Sequence, residues 1–376
     1  MLSLFSSISL TSCKNKKVEI NREDLFFTEM YIDDTLKDGV LELTINNKNL
    51  TSLDGIKVNF YGSKDLAYTY TFDGDKLKSN IVMFVNKDSS YQDDINTIIK
   101  LNDNYINGYY YVEVTSNDNQ IYDSLGNKGF NLPYVQNQSL VRLKEHFKGS
   151  ETYNELDFIK VRSGVKSYLG NINSPVTIKE LKDGPKLSSI YSNLPYQQDG
   201  LGTGGYVEVK LNSLGDGDTT QFDFPKESGI VNNYENRVRY LLIDTPEINH
   251  GSGSIITAEP FGEEAKAFNN KRLKEATMIV AQSNKNKTIN DSYGRTLAYI
   301  WYTSKENPTV NDLILFNNEI VYAGLAKFST YDKYEDMYYN DILYYDYLDY
   351  GAKLAKSQGI KIYGEKDPTF DYDVWL

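Results

Sequence analysis

From about Asp24 to Asn173 the chain consists of short runs of alternating apolar and polar residues broken by Asn, Asp and Gly. Examples are Gly39-Val-Leu-Glu-Leu-Thr-Ile45, Ile56-Lys-Val-Asn-Phe-Tyr61 and Tyr109-Tyr-Tyr-Val-Glu-Val114. A period of two sends successive side chains to opposite faces of a pleated strand. Runs of this length with turn residues between them predict a β-sandwich over residues 24–173.

The 376 residues leave room for roughly two to three domains. After the first dozen residues no run stays apolar for about 18 positions, so no internal membrane span is expected. One Cys excludes a disulfide framework and any multi-cysteine metal site, and the two His, His146 and His250, lie far apart. Any metal must therefore be held by oxygen. With 40 Lys and Arg against 52 Asp and Glu, the net charge of −12 argues against a broad basic groove. Phosphate binding, where present, must be local. The 32 Tyr fit either a binding role or an AT-rich coding bias.

Residues 2–10 form a short apolar and small-residue run, too brief to span a bilayer. Leu10-Thr-Ser-Cys13 resembles the bacterial lipoprotein lipobox, which implies a signal tail over 1–13, lipidation of Cys13 and a polar tether over 14–23. Acyl chains contribute about 0.8 kcal/mol per buried CH₂, so a multiply acylated Cys13 would hold the protein on the outer face of the membrane. No Lys or Arg lies between Met1 and Cys13, so the true start is expected upstream. The alternative is an ordinary tail with a chance cysteine.

Within the first half, Phe27-Thr-Glu-Met-Tyr-Ile32, the Glu42-Leu strand leading to Asn46-Asn-Lys-Asn-Leu-Thr-Ser-Leu-Asp-Gly55, Asp123-Ser-Leu-Gly126 and Gln138-Ser-Leu-Val-Arg142 follow one another in an order that resembles the lamin-tail domain. The resemblance implies an immunoglobulin-like sandwich that binds an unknown ligand. Residues 174–203, with Pro175, Pro185 and Pro195 among Ser, Asn and Gly, have the composition of a linker. Gly200-Leu-Gly-Thr-Gly-Gly205 matches a dinucleotide fingerprint in form, but a strand-like run follows it where a helix should open.

Beyond Gly205 the pattern predicts strands over 205–213, 219–224, 236–243, 277–283 and 295–302, and helices over 260–276, 311–323 and 333–357. Gly324 and Gly359 sit where helices should stop. Five strands with late helices suggest a small α+β barrel of the OB-fold type, so the chain reads as multidomain.

Three clusters carry chemistry. Gly215-Asp-Gly-Asp-Thr219 is a turn from whose end Asp218 can project a carboxylate, or else a plain acidic hairpin. Arg239-Tyr-Leu-Leu-Ile-Asp-Thr-Pro-Glu247 is an apolar strand that begins at an arginine and exits at Asp244, Thr245 and Glu247. Alternation puts Arg239 on a face with Leu241 and Ile243, where a lone arginine must be paired or functional. Asp291-Ser-Tyr-Gly-Arg295 is a turn entering an apolar strand, unremarkable alone.

In this order, with a helix between the second and third and Gly324-Leu-Ala-Lys327 later, these segments resemble the staphylococcal nuclease family over 204–368. The resemblance implies a Ca²⁺-dependent, sugar-nonspecific nuclease that cleaves DNA and RNA to 3′-phosphate products. Asp218 and Asp244 match the calcium-binding carboxylates, with the Thr245 carbonyl as a third oxygen and water and substrate completing a hard-oxygen shell. Glu247 matches the glutamate that orients or deprotonates the attacking water. Arg239 and Arg295 match the pair that clamps the phosphate, a task suited to a planar guanidinium. Tyr293 is retained, and Tyr331 or Tyr334 stands for a further tyrosine beside the nucleotide. Ser292 replaces a lysine of the family pattern, and His250 reads as a surface residue. The tyrosines between Tyr331 and Tyr350 suit packing more than stacking on bases. The rival reading is a binding or adhesion lipoprotein whose nuclease fold has lost catalysis.

Overall fold

The computed structural model describes residues 20–33, 35, 37–46, 50, 52–62, 65–74, 77–107, 110–127, 138–162, 169–170, 176–231, 236–248, 258–329 and 337–365. Cys13, His250, Tyr331 and Tyr334 lie outside them.

The N-terminal strands are β1 (Leu25–Ile32), β2 (Gly39–Ile45), β3 (Lys57–Gly62), β4 (Asp65–Thr71), β5 (Ile81–Val85), β6 (Thr97–Lys100), β7 (Tyr110–Thr115), β8 (Ile121–Leu125), β9 (Ser139–Arg142) and β10 (Phe158–Val161). They form one sheet of order β10-β9-β1-β2-β5-β6 and another of order β4-β3-β7-β8. Leu41, Leu43, Val82 and Phe84 of the first pack with Val58, Phe60, Val112 and Val114 of the second in one buried cluster, which makes this half a two-sheet sandwich. In β1 the inward set changes parity, from Leu25 and Phe27 to Met30 and Ile32, because the register shifts between Phe27 and Glu29.

The second half contains α1 (Ile178–Asp183), β11 (Gln197–Gln198), β12 (Leu201–Thr203), β13 (Tyr206–Glu208), β14 (Lys210–Ser213), β15 (Thr219–Asp223), β16 (Arg237–Tyr240), β17 (Ile243–Asp244), α2 (Gly262–Lys274), β18 (Met278–Gln282), β19 (Lys285–Thr288), β20 (Thr296–Thr303), β21 (Ile314–Leu315), α3 (Phe316–Tyr322), β22 (Lys327–Phe328), β23 (Tyr338–Tyr339), β24 (Ile342–Leu343) and α4 (Tyr344–Ser357). Its main sheet runs β13-β18-β20-β16-β15-β14. Because β13 and β14 are two ends of one run joined at Val209, whose N–H donates to the Ile279 carbonyl at 3.0 Å, the sheet closes on itself. The result is a five-stranded barrel consistent with an OB-fold. Phe222, Tyr240, Tyr299, Trp301 and Phe316 are buried within this half.

Several sequence expectations need correction. Residues 174–203 do not behave as a linker in their described part. Thr177 and Glu180 form a reciprocal cap on α1, and Val176, Leu181, Leu187, Tyr191 and Tyr196 are buried in the C-terminal core. Proline spacing imitated a linker, whereas the large apolar side chains between the prolines supply a packed layer. The boundary near residue 173 is also not clean. Val141 and Leu143, at the end of β9, and Ile159 and Val161 of β10 join the C-terminal core, while Leu140 and Phe158 join the sandwich core.

The predicted 205–213 strand splits at Val209. The strand 236–243 ends at Tyr240 because Leu242 takes φ 62°, which breaks the alternation. Val238 and Tyr240 are buried with Arg239 only partly so, and Tyr240, Leu241, Leu242 and Ile243 are then buried in succession, so alternation does not group Arg239 with Leu241 and Ile243. The helix predicted at 311 begins at Phe316, since Ile314–Leu315 pairs with β20. The helix predicted at 333 begins at Tyr344, because β23 and β24 form a hairpin around Asn340 and Asp341 at φ 47° and 60°. An Asn-Asp pair with positive φ is the turn such a hairpin requires.

Candidate active site

The acidic turn Asp216–Asp218 leads into β15, which pairs with β16 so that Thr219 lies opposite Arg239. Gly217 is obligatory at its place: a Cβ there would lie 2.7 Å from Thr245 Cγ2 and 2.8 Å from Ala265 Cβ, so the turn rests against α2 and the exit of β17. The Asp218 carbonyl accepts from the Tyr240 N–H at 2.9 Å, and its own N–H donates to Asp216 Oδ1 at 3.2 Å.

Asp218 is 1% exposed. Its Oδ1 accepts from an Arg239 N–H and from the Thr219 hydroxyl, and its Oδ2 accepts from the Thr245 backbone N–H at 2.7 Å. The other Arg239 nitrogen donates to Asp244 Oδ1 at 2.5 Å and to the Ile243 carbonyl at 3.2 Å. One guanidinium thus bridges both aspartates. Burial pushes the Asp218 carboxyl up to about 7; Arg239 opposes the rise and Asp216 and Asp244 add to it. For Arg239, burial works against its charge, but Asp218 and Asp244 outweigh it and hold the guanidinium more firmly protonated.

Sequence reading missed Asn269, which is fully buried on α2. Its Nδ2 donates to the Asp216 carbonyl at 2.7 Å and to Thr220 Oγ1 at 3.0 Å, and its Oδ1 accepts from the Tyr240 hydroxyl at 3.1 Å. Ala265, Asn269 and Leu273 recur every four residues on the buried stripe of the helix, so a polar residue at the middle position was the available signal.

Beside this cluster opens a cleft of about 780 Å³, lined by Glu247, Tyr293 and Arg295 together with Arg237, Asn236 and Asn290. The Glu247 N–H donates to Glu259 Oε2 at 2.8 Å and its carbonyl accepts from the Glu259 N–H at 2.9 Å, which fixes its backbone at the foot of α2. Arg295 Nε donates to Asp291 Oδ2 at 2.7 Å, and its guanidinium lies 5.5 Å from the centre of the Tyr293 ring, which is 84% exposed. The candidate residues therefore fall in two neighbouring groups. Asp218, Arg239, Asp244 and Thr245 form one; Glu247, Tyr293 and Arg295 line the cleft. Two connections join the groups: the chain from Thr245 to Glu247, and the parallel pairing of β16 with β20. The last strand of the first group is held in turn by β22, which pairs Asp244 with Lys327.

Among the described residues no group of three or more His, Cys, Asp or Glu is arranged for a metal. A cation here would rest on the Asp218 and Asp244 carboxylates and the Thr245 carbonyl. That donor set fits a hard divalent ion: it is all oxygen, its two acids share one guanidinium, and carboxylate oxygens keep lone pairs beyond the bonds described.

Of the described tyrosines late in the chain, Tyr344, Tyr347 and Tyr350 are buried in the core. No helix among the described residues is long and apolar enough to cross a membrane.

Residues 237–358 match the family model described as staphylococcal nuclease homologue. The thermonuclease of Staphylococcus hyicus is 28% identical over 137 residues, covering 36% of this chain and 68% of that protein. Endonuclease YncB of Bacillus subtilis (strain 168) is 34% identical over 99 residues, 26% of this chain and 41% of its own length. The SPbeta prophage-derived endonuclease YokF of the same organism is 29% identical over 165 residues, 44% of this chain and 47% of its own. The chain thus spans about half the length of these last two relatives. Residues 237–358 thus carry a domain of the staphylococcal nuclease type, which with these relatives supports a nuclease hydrolase.

Proposed function

We propose that this protein is a Ca²⁺-dependent nuclease that hydrolyses phosphodiester bonds of DNA and RNA to 3′-phosphate products. The observation that carries the reading is the single guanidinium of Arg239 bridging Asp218 and Asp244 beside a cleft lined by Glu247 and Arg295. A Ca²⁺ would be held by the Asp218 and Asp244 carboxylates and the Thr245 carbonyl, and would supply positive charge beside the phosphate. Arg239 and Arg295 hold the phosphate and stabilise charge developing on it, in a partly buried setting where such terms outweigh surface charges. Glu247 orients or deprotonates the attacking water, and Tyr293 supplies an aromatic face at the cleft rim. A net charge of −12 is compatible with an anionic substrate because charge is concentrated at one phosphate.

The reading extends to the rest of the chain. The sandwich is lamin-tail-like, supported by a buried pair between two of its motif segments, Arg142 to Asp123 at 2.6 Å, and it binds a ligand of unknown identity. Residues 14–23 tether a lipidated Cys13 at the outer face of a bacterial membrane. Plasmid DNA incubated with the protein and Ca²⁺ should be degraded, and chelator should stop the reaction. Absence of chelator-sensitive cleavage would leave the catalytically silent binding lipoprotein as the better account. Mass spectrometry of the mature protein should find Cys13 acylated; an unmodified Cys13 in the membrane fraction refutes the anchor.

A further inference from the structure

Arg237 lies outside the motifs on which the nuclease reading rests, yet it lines the same cleft as Glu247 and Arg295. Two features of the sheet place it there. Along β16 the period of two puts Arg237 on the face of Arg239, while Val238 and Tyr240 are fully buried on the other. Across the sheet, β16 runs parallel to β20 with Val238 beside Thr296, so Arg237 and Arg295 emerge from neighbouring positions one step earlier.

The charges of the three arginines are differently engaged. Arg239 is committed to Asp218 and Asp244, and Arg295 to Asp291. Among the described residues no carboxylate forms a salt bridge with Arg237, which is exposed at the cleft wall. The described residues around it in the cleft include Asn236, Asn290 and the exposed ring of Tyr293, groups that can hydrogen-bond or stack with a nucleotide, and one carboxylate, Glu247, which forms no salt bridge with it. Residues two apart on a strand are separated by about 6.7 Å, so Arg237 and Arg239 serve neighbouring rather than identical positions of a ligand. The cleft, at about 780 Å³, lies in the range that takes a ligand far larger than one phosphate group.

We propose that Arg237 holds a second phosphate of the polynucleotide, next to the ester being cleaved, so that the cleft selects substrates carrying at least two phosphates. The inference deepens the nuclease reading and rests on it for the identity of the ligand. A planar fork is suited to two oxygens of one phosphate, so lysine should replace it only in part.

The test has two arms. In the first, anisotropy of a labelled single-stranded oligonucleotide is measured with chelator present, over a salt series, for the wild type, Arg237→Ala and Arg237→Lys. Arg237→Ala should weaken binding about tenfold and reduce the salt slope by about 0.7, the loss of one phosphate contact. Arg237→Lys should restore the slope and recover only part of the affinity. In the second, cleavage with Ca²⁺ is compared for an oligonucleotide and for dithymidine monophosphate, which has one phosphate. The KM penalty of Arg237→Ala should be about tenfold for the oligonucleotide and several-fold smaller for the single-phosphate ester. A wild type that cleaves, with affinity and salt slope untouched by Arg237→Ala, overturns the second phosphate site and leaves the nuclease standing. A wild type that cleaves nothing but shows the Arg237-dependent slope overturns the nuclease reading and leaves the site. Neither binding nor cleavage overturns both.

Discussion

Asp346 offers a quantitative test of how the two halves are joined. It lies on α4, is 4% exposed, and accepts a hydrogen bond from Gln138 Nε2 at 3.2 Å just ahead of β9. Burial pushes its carboxyl up to about 7; Lys160 opposes the rise and Asp349 adds to it. The nearby Lys353 ammonium is shared between Asp349 at 2.9 Å and Glu155 at 3.0 Å. A carboxyl that titrates near 7 when folded and near 3.8 otherwise costs the native state about 4 kcal/mol once fully ionised, at 1.36 kcal/mol per pH unit. The sign follows from proton binding: the folded state holds the extra proton, so the cost is absent below about pH 4, grows as pH rises, and is complete above about pH 7. Asp346→Asn removes the charge and keeps an oxygen for Gln138. Urea unfolding from about pH 4 to pH 8 should give matching stabilities at the acid end. At the alkaline end the variant should be ahead by up to about 4 kcal/mol, a large part of a typical 5–15 kcal/mol total. Parallel profiles across that range, with equal m-values, would refute the buried-carboxyl argument.

Arg239→Ala and Arg295→Ala should each lower cleavage by about 10²- to 10³-fold while far-ultraviolet dichroism stays that of the parent; near-normal rates for either purified variant contradict its assignment. Asn269→Ala strips partners from the Asp216 carbonyl and the Tyr240 hydroxyl and should cost about 1–3 kcal/mol in denaturant unfolding, with a weaker apparent affinity for Ca²⁺ in activity titrations. Gly217→Ala forces its new methyl against Thr245 and Ala265, so activity should fall together with thermal stability. A variant as active and stable as the parent would mean that the turn can move.

The candidate site was readable because its residues sit in contiguous segments whose types declare themselves. An arginine, two acids and a threonine packed into Arg239–Glu247 leave few structural alternatives, and Asp218 sits in a turn marked by glycines. Asn269 was not readable in the same way, because its role depends on the Tyr240 hydroxyl and the Asp216 carbonyl arriving from other elements. Alternation failed at Leu242 because a positive φ cannot be seen in a leucine. The two late helices were overextended because Ile314–Leu315 and Tyr338–Leu343 are apolar enough to continue a helical stripe, and only pairing with β20 or a turn at Asn340-Asp341 diverts them into strands. Residues 176–203 misled through composition, since Pro, Ser and Asn spacing does not reveal that Tyr191 and Tyr196 each fill a core position. Buried tyrosines on α4, by contrast, followed from the amphipathic pattern that pairs them with Leu348.

Strands β9 and β10 have oil on both sides: Leu140 and Phe158 look toward the sandwich, Val141, Ile159 and Val161 toward the barrel's helices. Cutting the chain near residue 204 to isolate the catalytic half would bare that second surface and discard Tyr191 and Tyr196 with it. The halves should accordingly melt in a single step, and a lesion in the sandwich should reach enzymatic output without ever touching the cleft.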